Sequence, residues 1–296
     1  MYTLRRGGRP SVAGAAVKCT VSSLGRAQRA DEKPKKPADS AIACLEPKTG
    51  SAPVSARFEE LDWRETPLGE LALRRRSYPG VAEPVYEIKL NDEFLMSSLF
   101  TVAEVKLADL ALAELTTCPS TPELDVAVGG LGLGYTAEAV LKNPDVGSLV
   151  VIDMLDAVID WHERGLIPGG LAADPRCRLV HGDFFSMAQS ARGLDPLVPG
   201  RRFHAVIVDI DHSPRHLLHP DNAGFYQLDG LRRLGEHLHP GGVFALWSND
   251  RPDEEFLAAL TQAFAEARAE VIAFDNPLQE REAANTVYLA RTHRLP

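Results

Sequence analysis

The chain has 296 residues, 45% apolar and 25% charged, the composition of an ordinary globular protein with room for one large α/β domain or a domain with a smaller appendage. Its four cysteines, Cys19, Cys44, Cys118 and Cys177, form no CxxC pair, which argues against a zinc module or disulfide framework and fits a reducing, cytoplasmic home; no apolar run approaches the roughly 18 residues of a membrane span. Of the net charge of −9, residues 1–50 contribute +6, leaving −15 on the remainder, an acidic body that disfavours nucleic acid and suits a cationic substrate.

Residues 1–55 lack hydrophobic periodicity and are rich in Gly, Ser, Ala, Pro and Lys, so a disordered extension is expected there. The first thirty residues contain arginines and serines but no acid. Organellar transit peptides and plain unstructured extensions share that composition, so an organelle stays open beside the cytoplasm. From 56 to 100, the runs ARFEELDW, GELALRRR, PVYEIKL and EFLMSSLF are separated by turn-like breaks at Pro67-Leu68-Gly69, Pro79-Gly80 and Asn91-Asp92. They predict a small antiparallel sheet. The main domain, 101–296, opens on TVAEVKLADLALAEL. Thr101 and Glu104 match a capping box there, and Val102, Val105, Leu107, Leu110, Leu112 and Leu115 supply an apolar helix face.

Strand-like runs then follow at 124–128, 148–152, 177–181, 204–209, 242–247, 270–274 and 286–290, with helical patterns at 135–142, 156–164, 222–237 and 253–268. Apolar strands alternating with amphipathic helices predict an α/β fold with a doubly wound, Rossmann-like parallel sheet. A polar loop joins the last two strands, which predicts an antiparallel finish.

Ligands of such sheets sit beyond the carboxyl ends of the strands, so the residues that end each strand are the candidates. The first strand runs into VAVGGLGLGYTAEAVL, where Gly129, Gly130, Gly132 and Gly134 imply a tight turn or a close approach by a ligand. The second ends at Asp153, the third at Asp183 and the fourth at Asp209 and Asp211. A carboxylate after the second strand is placed for ribose hydroxyls, and one after the third for an adenine amino group. Helix capping by Asp153 or Asp183, and turn closure by Asp209, are the plain alternatives.

This set resembles the spermidine synthase-like (polyamine aminopropyltransferase) group of the class I S-adenosylmethionine-dependent methyltransferase fold, over about residues 58–292. VAVGGLGLGYTAEAVL is similar to that family's glycine loop, VVIDMLDAVIDWHE to its ribose segment, CRLVHGDFF to its adenine segment and FHAVIVDIDHSP to its catalytic strand end. The resemblance implies S-adenosylmethionine or its decarboxylated form as donor substrate, held by Gly130, Gly132, Gly134, Asp153, Asp183 and Phe184. It implies Asp209 as the base, a small-molecule amine as acceptor, and a homodimer, with no nucleic acid or membrane as partner. Asp211, His212 and Tyr226 are the candidate acceptor contacts, and helix packing is the alternative for Phe225 and Tyr226.

The sequence departs from the family in its acids. His212 stands where the family has a second aspartate, the glycine loop lacks the family's aspartate, and NDEFLMSSLFTVAEV replaces its tyrosine-histidine-glutamate segment. Methyl transfer to an unknown small molecule therefore stays open, as does a non-catalytic nucleoside-binding protein. His212, His216 and His219 match no established zinc spacing, and Pro214 interrupts the helix that an i, i+4 pair would need, so no metal is expected.

Overall fold

In the computed structural model, strand β5 (Leu124–Gly129) is the fifth strand of a seven-stranded sheet whose order is β10-β11-β9-β8-β5-β6-β7. The structure describes residues 58–78, 81–91, 93–115, 123–276 and 281–294. The expected extension at 1–55 and its targeting character lie outside the described residues. So do Pro79, Gly80 and Asp92 of the predicted turns.

Five consecutive strands of the sheet pair in parallel: β5 with β6 (Val146–Asp153) and β8 (Phe203–Val208), β6 with β7 (Cys177–His181), and β8 with β9 (Leu238–Ser248). The hairpin of β10 (Glu266–Asn276) and β11 (Arg281–Arg291) closes the sheet antiparallel against β9, as its polar connection predicts. Because successive strand residues face opposite sides, β5 feeds two cores. Val126 and Val128 face a layer holding α1 (Val102–Ala113), α2 (Tyr135–Leu141) and α3 (Asp156–Glu163). Ala127 faces a second layer with α4 (Phe184–Gln189), α5 (Leu228–Glu236) and α6 (Glu254–Ala263). Both layers are apolar, which is why the parallel strands read as continuous apolar runs.

The predicted N-terminal sheet is a four-stranded antiparallel meander, β1 (Phe58–Thr66), β2 (Gly69–Arg76), β3 (Val85–Leu90) and β4 (Glu93–Ser97). Its Leu71, Leu73 and Ile88 are fully buried in the same core as Leu107 of α1. That packing sets the end of β4 beside the start of α1.

Four local readings are corrected. The capping box at the head of α1 is not made: Thr101 forms no side-chain cap, and Glu104 is turned into the protein interior. The buried face of α1 is Ala103, Glu104, Leu107, Ala108, Ala111 and Leu112, while Val102 is exposed, so the helix is rotated from the predicted face. Small alanines let the helix axis approach its neighbours closely, which outweighs burying the larger Val102. The helix predicted over 222–237 starts only at Leu228, behind a 3-10 turn at Pro220–Gly224 and an extended Gln227. The helix predicted over 253–268 stops at Ala263, where Phe264 goes extended and buries its ring before β10 begins.

Candidate active site

Strand order reverses direction at β5, which leads to β6 on one side and to β8 on the other. Their carboxyl ends meet where such sheets bind ligands. Asp209 donates its backbone N–H to the Gly129 carbonyl at 2.8 Å, so the end of β8 is laced to the glycine loop. Gly130 has φ +94°, and a Cβ there would lie 2.1 Å from the Asp209 carbonyl oxygen. Only glycine satisfies both the backbone conformation and that contact. The opening glycine therefore does structural service in bringing β5 and β8 together at the crevice.

The rest of the loop is held by side chains that sequence inspection did not single out. His162 of α3, buried, donates from Nε2 to the Gly132 carbonyl at 2.9 Å, and burial holds its pKa below the ordinary value. Met96 of β4 lies across the loop: its Sδ accepts the Leu133 N–H at 3.1 Å and fills the space a side chain at Gly132 would need. Gly134, with φ +91°, starts α2.

Asp153 ends β6. Its Oδ2 accepts the Leu131 N–H and its Oδ1 the Leu155 N–H, each at 2.8 Å. Burial raises its pKa, and backbone donors from Leu155, Leu131 and Gly132 oppose the rise. Each carboxylate oxygen accepts more than one hydrogen bond, so Asp153 both pins the glycine loop and retains acceptor capacity for hydroxyls. Asp183 caps α4, accepting from the Phe185 N–H at 3.0 Å and from the Ser186 hydroxyl, which is the plain alternative read from sequence. Phe184 needs correction as an adenine contact. Its ring is 2% exposed and packs beneath Gly129 against Phe185 and Phe225, so the side chain belongs to the core.

Asp209 accepts from the Thr136 hydroxyl of α2 at 2.8 Å through Oδ2. Burial pushes its carboxyl up to about 6, with the Thr136 hydrogen bond opposing. Facing it is Glu104 of α1, 8% exposed, pushed up to about 8 by burial and then by the Asp209 charge. None of the groups acting on either carboxyl is a cation. Tyr135 lies beside the pair, its pKa raised by burial, with its hydroxyl toward Ser98 and Glu104 among the charges acting on it. On β9, the residue after the Val208–Leu246 register pair is Trp247, whose buried indole Nε1 has no hydrogen-bond partner among the described residues. Glu104 and Thr136 went unread as site residues. The available signal was the placement of Glu104 on the stripe of Leu107, Ala108 and Ala111, at helical spacings of three, four and seven.

The loop after β8 does not expose the acceptor contacts expected of it. Asp211 is 2% exposed and accepts from the Leu218 N–H at 2.7 Å, the Asn222 side chain at 3.0 and 3.1 Å and the Tyr226 hydroxyl at 2.8 Å. Tyr226 is itself buried, with rings of Phe185, Phe225 and Phe256 around it. Both residues are thus corrected from acceptor contacts to the internal frame of this loop, their polar atoms spent on each other. His212 is half-buried, and its carbonyl accepts the Asn249 N–H at 2.7 Å. Next to this loop, a cavity of about 420 Å³ is lined by residues 213–215, Ser248 and residues 250–255.

The three histidines of HSPRHLLH do not converge. His216 bonds Asp250 at 2.8 Å, and His219 accepts the Asp221 N–H at 3.3 Å. Asp125, His204 and His239 do converge, their ligand-type atoms within 4.8 Å of one another, at the opposite ends of β5, β8 and β9. There Arg201 pairs with Asp125 at 2.5 Å, and His204 Nδ1 accepts the Asp125 N–H at 2.9 Å, so two of the three are already engaged within the protein.

No family model and no curated protein sequence matches the chain. Solved structures do. Spermidine synthase from Thermotoga maritima superposes with a TM-score of 0.59 at 14% identity, covering 80% of this chain and 74% of that one. A spermidine synthase in complex with the transition state analogue AdoDATO gives 0.57 at 14% identity over 80% and 73%. A probable spermidine synthase from Corynebacterium glutamicum gives 0.50 at 14% over 81% of each chain. The chain therefore has a spermidine synthase-like fold, a class I methyltransferase-type sheet preceded by a small antiparallel one.

Proposed function

We propose that this chain is a spermidine synthase-like transferase that binds decarboxylated S-adenosylmethionine and moves its aminopropyl group to an amine. The observation that carries the reading is Asp209: a half-buried acid with no cationic partner among the described residues, at the crevice where the glycine loop and β8 meet. One of the spermidine synthases of similar fold was solved with a transition state analogue, in keeping with an adenosyl donor here.

In this mechanism Asp153 accepts from the ribose hydroxyls, and the donor's tail crosses the glycine loop toward Asp209. The acceptor arrives as an alkylammonium with a pKa near about 10.4, so it must lose a proton before it can attack. Asp209 takes that proton. The amine nitrogen then bonds the methylene beside the sulfonium, and the C–S electron pair stays on sulfur as a neutral thioether. A carboxyl raised to about 6 is ionised at neutral pH yet more basic than an ordinary aspartate, which suits it to the task. His212, half-buried on the same loop, is the remaining acceptor-contact candidate.

A second reading is methyl transfer from intact S-adenosylmethionine, favoured by a glycine loop that carries no acid to repel the donor's carboxylate. Calorimetric titration with both donors separates the two. Preference for the decarboxylated donor, followed by methylthioadenosine formation when an amine is added, supports aminopropyl transfer. Preference for the intact donor supports methyl transfer, and binding of neither removes both readings and leaves a non-catalytic protein.

A further inference from the structure

We propose that Glu104 is the second carboxylate of the acceptor site, forming with Asp209 one acid pair that holds the reacting ammonium group of a primary amine. The inference rests on the transferase reading above and adds a residue to it that neither the sequence motifs nor the fold assigns.

Three observations support the pairing. Glu104 is more than nine-tenths buried, on a helix face otherwise made of alanine and leucine, with no hydrogen bond to any side chain among the described residues. Asp209 uses Oδ2 for Thr136 and has no second side-chain donor among the described residues. Asp209 is half-buried at the end of β8, and its charge acts on the buried Glu104; two such carboxyls without a cation repel one another, an arrangement that costs stability unless a proton or a cation is shared between them. A third group extends the site: the unpartnered indole N–H of Trp247, at the β9 position beside the end of β8.

The chemistry of the pair selects its ligand. An ammonium group has three donors and one positive charge, which matches two facing carboxylates and replaces their shared proton. An anionic group in the same place would meet repulsion from both. The site therefore takes a cation, and it opposes a donor carrying a carboxylate near it. The proton balance closes. The pair releases its shared proton to solvent when the ammonium binds, then accepts one proton from it, leaving a neutral amine. That amine forms the C–N bond as the C–S bond breaks, and the pair later returns its proton to solvent.

The experiment uses the full chain and Glu104→Gln, which keeps the side-chain shape and removes the charge. Donor affinity is measured first by calorimetry, because it tests the transferase reading alone. Turnover is then followed with 1,4-diaminobutane as the amine. The expected result is donor affinity within about threefold of wild type, KM for the amine raised at least about tenfold, and partial rescue by Glu104→Asp. A role in packing alone would leave the amine KM unmoved. If wild type shows no turnover, amine binding is read directly by calorimetry. Binding to wild type that is lost in Glu104→Gln supports the pair; equal binding to both, or none to wild type, overturns it.

Discussion

The Glu104–Asp209 pair makes a prediction about stability that needs no substrate. Glu104 stands at about 8 in the folded protein against an ordinary 4.5. The folded state therefore holds a proton across that interval which the unfolded chain has released. Where the native state binds more protons, stability falls as pH rises, here from the unfolded value through the folded one. Within that window each pH unit costs about 1.4 kcal/mol per proton, so raising pH from about 5.5 to about 7.5 removes about 2–3 kcal/mol from this group alone. Glu104→Gln carries no such proton. Its advantage over wild type should be small near pH 5.5 and grow to that amount near pH 7.5.

Urea unfolding, followed through the fluorescence of the fully buried Trp161, reads the difference. With a urea dependence of roughly 2–3 kcal/mol per molar, the midpoints of variant and wild type should diverge by about 1 M over that range. Comparing the two proteins matters because other groups also titrate. Buried His162, held below its ordinary pKa, stabilises the fold as pH rises, opposite in sign, and it does so in both proteins. Asp209 slopes with Glu104 and persists in both. Parallel pH dependence in the two proteins would refute the claim that Glu104 is a buried, protonated acid.

Three further substitutions divide the site by role. Asp209→Asn keeps the Thr136 contact and should leave donor affinity within a few-fold while lowering kcat by at least about a hundredfold; near-wild-type turnover would remove Asp209 as the base. Asp153→Ala should weaken donor binding by tenfold or more in calorimetry, and should also lower the thermal midpoint, because the N–H groups of Leu131 and Leu155 lose their acceptor. Tyr226→Phe should cost about 1–2 kcal/mol in urea unfolding by removing one donor from buried Asp211, with donor affinity unchanged. A stable Tyr226→Phe that has lost acceptor affinity would return that hydroxyl to the binding site.

The fold was legible because its signals are local and repeated. Strands buried on both faces leave apolar runs at 124–128 and 204–209, and the turn at Gly130 announces itself through its glycines. The element ends were harder to read. Phe264 and Gln227 are compatible with helix by propensity, but burial of the Phe264 ring and the turn before α5 pull both into extended conformations. The loop acids show the same limit more sharply. Asp183, Asp209 and Asp211 look alike along the chain, yet one caps a helix, one sits unpaired by any cation among the described residues and one is filled by three protein donors.

What separates these carboxylates is the partner each meets, and those partners come from distant segments. Asp211 receives Tyr226 from the far end of its own loop, so its charge is answered by neutral donors and it becomes structure. Asp209 receives Thr136 and Glu104 from α2 and α1, and no cation. Thr101-x-x-Glu104 satisfied a local capping rule, but that rule weighs only the helix end. In the fold, the same glutamate lies on the buried stripe, and its side chain is drawn inward although burial penalises its charge. A buried acid facing another acid is costly in isolation, and the most economical physical reason for the arrangement is a cation that enters between them.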